Sequence, residues 1–291
     1  RRGDFHLGQN IPAGAPGHPL ACRAAFGENR AMTDPILQTR LPFAIWMDPR
    51  TARLPGIQPV QGDDWLRLDE AYARQMAERD RLIASRPEIV HALMERGRPA
   101  ADELYAAVLD WTARTPGFVR EGEAVRRPDG VLVPLDPEQP LMTLGRLVQE
   151  DLCLLEAEGE EHVLTGAILC FPASWWLTEK LGRPLTGIHV RVAAYDGDLA
   201  RRVQRLFDAI RVGQPLWRGN ALIYRDPTLH QPRREADPRT DRTGGSYVRS
   251  ERQVLMRLPQ SQAVVFSIHT YVVDIATLSP AELAGVEEAH L

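Results

Sequence analysis

Two β-rich segments joined by a short linker constrain the fold of this chain more than any other feature of its sequence. The segments LCLLEA and HVLTGAILCF flank Glu158-Gly159-Glu160-Glu161, and both are rich in residues that favour strands. A linker of this length that contains glycine predicts a β-hairpin. Phe171-Pro172 ends the second strand, so a sheet begins near residue 152.

Three more strands are predicted nearer the C-terminus, over residues 216–226, 246–259 and 263–273. Between the hairpin and these strands lies a helical connection. Its clearest helix, over 198–213, has apolar residues at helical spacing. This order predicts an α+β fold with a five-stranded antiparallel sheet and helices covering one face.

The region before the sheet is predicted to be mostly helical. A helix should begin near Trp65, capped by Asp63 or Asp64, and Arg86-Pro87 should end it. Further helices are predicted over 88–96 and about 100–114. We therefore expect an N-terminal extension at 1–33 that is disordered or a mis-assigned start with Met32 as initiator, a helical region at 34–140, a sheet domain at 141–275 and a tail at 276–291.

Composition excludes several classes of protein. The net charge of −4 over 291 residues is too small to indicate nucleic-acid or membrane-surface binding. The cysteines, Cys22, Cys153 and Cys170, form no CxxC pair, so neither a zinc site nor a cysteine-ligated cluster is predicted. No apolar run is long enough to span a membrane, and we expect a cytoplasmic protein with reduced thiols. Lys180 is the only lysine, which we interpret as a coding bias towards arginine.

Several stretches resemble the alpha subunit of haem-dependent oxidative N-demethylases. They occur in the expected order between about residues 40 and 275, and the combination is specific. The stretches are DDWLRLDEAYARQMAERDRLI, RLVQEDLCLLE, FPASWWLTEKLGRPLTGIH, WRGNALIYRDPTLHQP and YVRSERQVLMRLPQSQAVVFSIHTYV. One departure is clear: the family tends to read H-x-P-V-P-x-Y, whereas this chain has HVRVAAY from His189 to Tyr195.

The resemblance implies a PAS-like fold that encloses haem b. It implies oxidative removal of a methyl group from a small secondary amine such as dimethylamine, with O2 consumed and formaldehyde released. Electrons would come from NADPH through a separate flavin and iron–sulfur reductase subunit, and a tetrahydrofolate-binding subunit is a further candidate partner. The chain itself has no flavin, nicotinamide or cluster motif, in agreement with electron supply by another polypeptide.

Two histidines are candidates for the axial ligand of the haem iron. His189 matches the family motif and lies between Ile188 and Val190, where the pocket wall is expected. His269, in the last strand, is the second choice, although family members often have arginine there. Without the resemblance, a hydrogen-bonded, partly buried histidine is the simpler interpretation of His189. His269 could line the pocket instead of binding iron.

Strand 246–259 supplies the candidate polar residues of the pocket. Alternation places Arg249, Glu251, Gln253 and Arg257 on one face, which could be merely the solvated side of the sheet. Glu251 is our candidate for recognition of the substrate amine. Arg252 or Arg257 could bind a haem propionate or a carboxylate of folate or of a partner. Tyr195 could line the pocket or be an ordinary core residue.

Two other classes of function stay open at this point. One is a PAS-type sensor that binds haem or another small ligand, although no effector domain is recognisable in the sequence. The other is a structural subunit that has lost its haem, which the altered segment after His189 would permit.

Overall fold

The computed structural model of the protein describes residues 34–52, 55–189, 197–238 and 243–288. Its largest feature is a seven-stranded sheet, in the order β1-β8-β9-β10-β6-β7-β2, with all neighbours antiparallel. A small second sheet has the order β3-β4-β5. The strands are β1 (Gln58–Pro59), β2 (His91–Leu93), β3 (Val119–Glu121), β4 (Ala124–Arg126), β5 (Leu132–Pro134), β6 (Asp151–Glu158), β7 (Glu161–Ile168), β8 (Leu216–Tyr224), β9 (Tyr247–Arg257) and β10 (Val264–Asp274).

The five long strands of the large sheet are those that the sequence predicts. β6 and β7 form the hairpin, and β8, β9 and β10 are the three later strands. In space, β10 lies beside β6, so the last strand of the chain pairs with the first strand of the hairpin. The predicted number of five is too low, because β1 and β2 extend the two edges. These strands of two and three residues are too short to show a period in the sequence.

The hairpin turn is tighter than the four-residue linker suggests. Glu158 pairs with Glu161, so only Gly159 and Glu160 lie in the turn. Gly159 has a φ of 62°. Glycine reaches this left-handed region without the steric cost of a Cβ atom, which explains its place in the turn.

The helices lie on both faces of the large sheet, whereas the sequence predicts that they cover one face. They are α1 (Tyr72–Ser85), α2 (Pro87–Val90), α3 (Arg98–Arg114), α4 (Pro140–Gly145), α5 (Leu177–Lys180), α6 (Leu185–Ile188), α7 (Gly197–Ala209) and α8 (Pro280–Glu288). α1, α3 and α4 pack on one face, where Leu82, Leu104 and Leu144 share a core with Leu154 and Val265. Residues from Pro35 onward form one compact unit.

The opposite face of the sheet carries α5, α6 and α7. Leu177, Leu185 and Phe207 from these helices share a second core with Leu164 of β7 and Leu255 of β9. This layer is the helical connection that the sequence predicts between the second and third long strands. None of the helices in the described part of the chain is long and apolar enough to cross a membrane.

The first helix begins later than predicted. It starts at Tyr72 and not near Trp65, so the expectation that Asp63 or Asp64 caps it is wrong. Asp64 instead accepts hydrogen bonds from Arg67 and Arg252. The helix predicted over 88–96 is also wrong, because α2 ends at Val90 and β2 follows. The third predicted helix is confirmed as α3.

Candidate active site

A cavity of about 480 Å³ lies between the second helical layer and the sheet. This volume falls within the range of roughly 300–1,000 Å³ that is typical of small-molecule sites. Most of its wall is apolar. The polar side chains that line it lie at the end of α6 and on β8 and β9. The apolar wall includes Leu164, Leu185, Val203, Phe207, Leu255 and Phe266.

His189 lines this cavity at the end of α6. Its Nδ1 lies 2.9 Å from the carbonyl oxygen of Leu185, one turn back along the helix. A carbonyl can only accept, so Nδ1 carries the hydrogen and the ring lone pair is on Nε2. Burial lowers the pKa of His189, and the charges of Lys180 and Arg218 act in the same direction, while the bond to Leu185 opposes them. The ring is therefore neutral at pH 7, the state in which imidazole binds a metal.

Lys180 fixes the turn that carries His189. Its buried Nζ donates to the carbonyl oxygen of Ile188 at 2.7 Å and to Glu235 at 2.6 Å. Glu235 also accepts a hydrogen bond from Arg183 at 2.8 Å. The sequence analysis did not single out this role of Lys180. Its isolation among arginines in FPASWWLTEKLGRPLTGIH was the available signal.

The outer wall of the cavity, α7, is attached to the sheet through His162 on β7. Gln204 of α7 donates from Nε2 to Nδ1 of His162 at 2.9 Å and accepts from its backbone N–H at 3.1 Å. The ring of His162 also packs against Phe207, with 5.3 Å between the ring centroids. Burial lowers the pKa of His162, so this contact is made by a neutral ring.

A polar strip crosses the sheet side of the cavity. Arg218 of β8 donates to Oε1 of Gln253 at 2.9 Å, and Gln253 donates to Oε2 of Glu251 at 3.0 Å. Arg249 lies at 3.4 Å from the other oxygen of Glu251 and also binds two backbone carbonyls. The predicted alternation is confirmed here, because Glu251 and Gln253 line the cavity from the same face of β9. Arg218 is a cavity residue that the sequence analysis did not single out.

Arg252 and Arg257 do not line this cavity. Arg252 lies on the other face of β9, where it donates to the carbonyl oxygen of Asp64 at 2.6 Å and stacks near Trp217. Arg257 donates to the carbonyl oxygens of Phe207 and Ile210, at the end of α7, and to that of Gln262, between β9 and β10. Their positions give no support to a role in binding a propionate in this cavity. Tyr195 lies outside the described residues.

His269 lies on the opposite face of the sheet, in a dense buried network. Its Nδ1 is 2.8 Å from Glu150 and its Nε2 is 3.1 Å from Asp69. Burial alone would lower the pKa of His269, but the two carboxylates outweigh it and raise the pKa to about 9. Both ring nitrogens therefore carry hydrogen at pH 7, and a ring in this state has no lone pair for iron. Within the described residues, no three His, Cys, Asp or Glu side chains come together as a site for a metal ion.

The model of the family described as haem-dependent oxidative N-demethylase, alpha subunit-like, matches residues 56–288. The chain belongs to this family. The match covers both helical layers and every strand of the large sheet. An oxidative N-demethylase subunit is thus an enzyme component, and the word alpha in the family description implies further subunits.

The cavity fits the haem that the demethylase family uses. Haem requires an axial donor and an apolar slot. His189 supplies a neutral imidazole whose Nδ1–H is bound to a backbone carbonyl, the arrangement that orients metal-binding histidines in general. The surrounding wall is largely aliphatic and aromatic. The residues that would hold the group are His189 for the iron and the apolar walls for the macrocycle.

Proposed function

We propose that this chain removes a methyl group oxidatively from a small secondary amine, similar to dimethylamine, at a haem b held by His189. One oxygen atom of O2 enters a methyl C–H bond, and the N-hydroxymethyl product breaks its C–N bond to give formaldehyde and the shortened amine. The second oxygen atom leaves as water, with two electrons and two protons. The haem supplies the activation of O2 when it is bound. The neutral His189 imidazole in a cavity, within a chain of this family, is the observation that carries the proposal.

The fold supports the proposal. Taken from the hairpin, the five long strands have the spatial order second, first, fifth, fourth, third, with helices inserted after the second. We propose that residues 141–275 form a PAS-like domain that uses this sheet and α5–α7 to enclose the haem. The helical region at 34–140 covers the other face.

Glu251 is our candidate for binding the amine. A protonated amine holds its lone pair in an N–H bond and cannot be oxidised readily at nitrogen. A carboxylate at the cavity wall attracts the ammonium and can accept its proton. Glu251 is almost completely buried, and it has Gln253 and Arg249 as neighbours that hold its position.

The partners follow from the chemistry. Two electrons per turnover must reach the cavity, and we propose a separate subunit with NADPH, flavin and an iron–sulfur cluster as their source. A tetrahydrofolate-binding subunit that accepts the formaldehyde is a further candidate. We place the reaction in the cytoplasm, where free buried thiols such as Cys153 and Cys170 stay reduced.

The decisive test is an absorption spectrum of the full chain reconstituted with haemin. The wild type should show a sharp Soret band, and His189→Ala should lose it or shift it. His230→Ala is a matched control, because Nδ1 of His230 also bonds a backbone carbonyl, that of Cys170, but the residue does not line the cavity. A wild-type chain that binds no haem, or an unchanged spectrum in His189→Ala, would refute the proposal.

Glu251 is tested by titrating dimethylamine into the reconstituted protein. Wild type should show a saturable Soret shift, and Glu251→Gln should weaken amine binding by about 10-fold or more, since a buried bond to a charged group is lost. Glu156→Gln is the control, because Glu156 is a half-buried glutamate of β6 that does not line the cavity. A Soret band without any response to amines would favour a sensor module over a demethylase.

A further inference from the structure

Arg218 lines the cavity with few hydrogen-bond and ion-pair partners of its own. Its guanidinium carries five N–H donors. Within the described part of the chain it makes one hydrogen bond, to the neutral amide of Gln253, and no ion pair at salt-bridge distance. Burial lowers the pKa of Arg218, and the more distant charge of Glu251 only partly opposes this effect. A cation thus faces a mainly apolar cavity without a counter-ion beside it.

The four buried arginines of the described chain are satisfied in a different way. Each of them has a carboxylate partner: Asp151 for Arg79, Asp129 for Arg127, Glu251 for Arg249 and Asp64 for Arg252. Arg218 is only half-buried, but its guanidinium loses part of its hydration without gaining such a partner. Arg218 departs from this pattern at the place where the fold leaves room for a ligand.

We propose that Arg218 binds a carboxylate of the molecule that occupies the cavity. The planar fork of a guanidinium matches a carboxylate in two parallel hydrogen bonds, and Gln253 holds the fork from one side. The inference rests on the proposed function, which makes this cavity the binding site. Two sources offer the same chemistry: a propionate of the porphyrin, or the carboxylate of an N-methylated amino acid used as substrate.

The strip Arg218–Gln253–Glu251 makes the second source chemically reasonable. A cation and a carboxylate stand on one wall, separated by a single amide side chain. An N-methylated amino acid carries the opposite pair, an ammonium and a carboxylate. The ammonium would then lie beside Glu251, which also has Arg249 as a partner, and the carboxylate would supply the counter-ion that Arg218 lacks at salt-bridge distance.

Metal-free porphyrins test whether the carboxylate that Arg218 binds is a porphyrin propionate, because iron ligation then plays no part. Protoporphyrin IX and its dimethyl ester are titrated into the haem-free full chain, and binding is followed by tryptophan fluorescence quenching. If a propionate is the ligand, wild type should prefer the free acid by about 10- to 100-fold. Arg218→Met should lose this preference, and Arg218→Lys should keep part of it. Arg205→Met, which removes an exposed positive charge from α7, should behave as wild type.

The substrate source is tested with N-methylglycine and dimethylamine, by Soret shifts of the haemin-reconstituted chain. If the amino-acid carboxylate is the ligand, Arg218→Met should weaken the binding of N-methylglycine at least 10-fold and leave the binding of dimethylamine unchanged. Either result supports the carboxylate site and identifies its source. The fold of Arg218→Met is checked by circular dichroism. If the folded variant changes neither the preference for the free-acid porphyrin over its ester nor the affinity for N-methylglycine relative to dimethylamine, the inference is wrong. The porphyrin titration needs no iron ligand, so failure of the His189 proposal would be seen separately, as an unchanged His189→Ala spectrum.

Discussion

Polar residues on the two faces of the large sheet differ in the partners that they bind. On the face covered by α1, α3 and α4, His269 is held between two carboxylates, and Arg79 pairs with Asp151. On the cavity face, His189 donates to a backbone carbonyl, and Arg218 donates to an amide. Charges on the first face are compensated inside the protein. An ion pair also occurs on the cavity face, between Arg249 and Glu251, but Arg218 has only a neutral partner in the described chain. The first face therefore stabilises the fold through paired charges, and the cavity face is where we propose that a ligand binds.

The same contrast explains what the sequence motif VQED does. Gln149, Glu150 and Asp151 are all buried. Asp151 accepts hydrogen bonds from Arg79 and from the backbone N–H groups of Cys170 and Phe171, where the chain leaves β7. A motif that carries much of the family resemblance therefore ties α1 to the sheet and does not contact the cavity.

The buried pair of the first face gives the largest expected effect. Arg79→Met leaves Asp151 without its cation in the core and should cost about 3–5 kcal/mol of unfolding free energy. Urea unfolding of the haem-free protein measures this change. Arg201→Met is the matched control, since it breaks an exposed pair with Asp198 and should cost less than about 1 kcal/mol. Equal costs for the two variants would show that the buried pair of the first face stabilises the fold no more than an exposed pair does.

His269 should stabilise the folded protein at neutral pH and lose this effect at alkaline pH. Its pKa is about 9 in the folded state, above the ordinary value of about 6.5. Its contribution is therefore complete below about pH 6.5 and is lost as the pH rises through 9. Between pH 7 and 10, wild type should lose on the order of 2–3 kcal/mol more than His269→Gln, measured by urea unfolding at each pH. A parallel decline in the two proteins would mean that the ring is not protonated.

The sequence predicts the elements that depend on local patterns. The hairpin, the three later strands and the alternation along β9 follow from residue type and spacing, and all are observed. The helix start near Trp65 fails because the carboxylate of Asp64, a good capping residue, accepts hydrogen bonds from Arg67 and from Arg252, which lies far away in the sequence. No local pattern reveals the second of these partners.

The candidate site was predictable only in part, for a similar reason. Alternation shows that Arg218 and Asn220 share a face of β8, but not that this face borders a cavity. The choice between His189 and His269 depends on what lies around each ring. Glu150 and Asp69, which keep His269 protonated, come from segments far from residue 269 in the sequence.

The smallest expected effect concerns His162, on the cavity side of the sheet, and has the opposite sign. Burial lowers its pKa in the folded state, so the unfolded chain binds the proton more readily. Stability should therefore fall as the pH drops through about 6.5. Between pH 7 and 5, the unfolding free energy of wild type, measured in urea, should fall by up to about 1 kcal/mol more than that of His162→Asn. If wild type gained stability instead, the negative charge of the nearby Asp208 would outweigh burial and keep the ring protonated, and the cavity side would hold a charged histidine as the other face does.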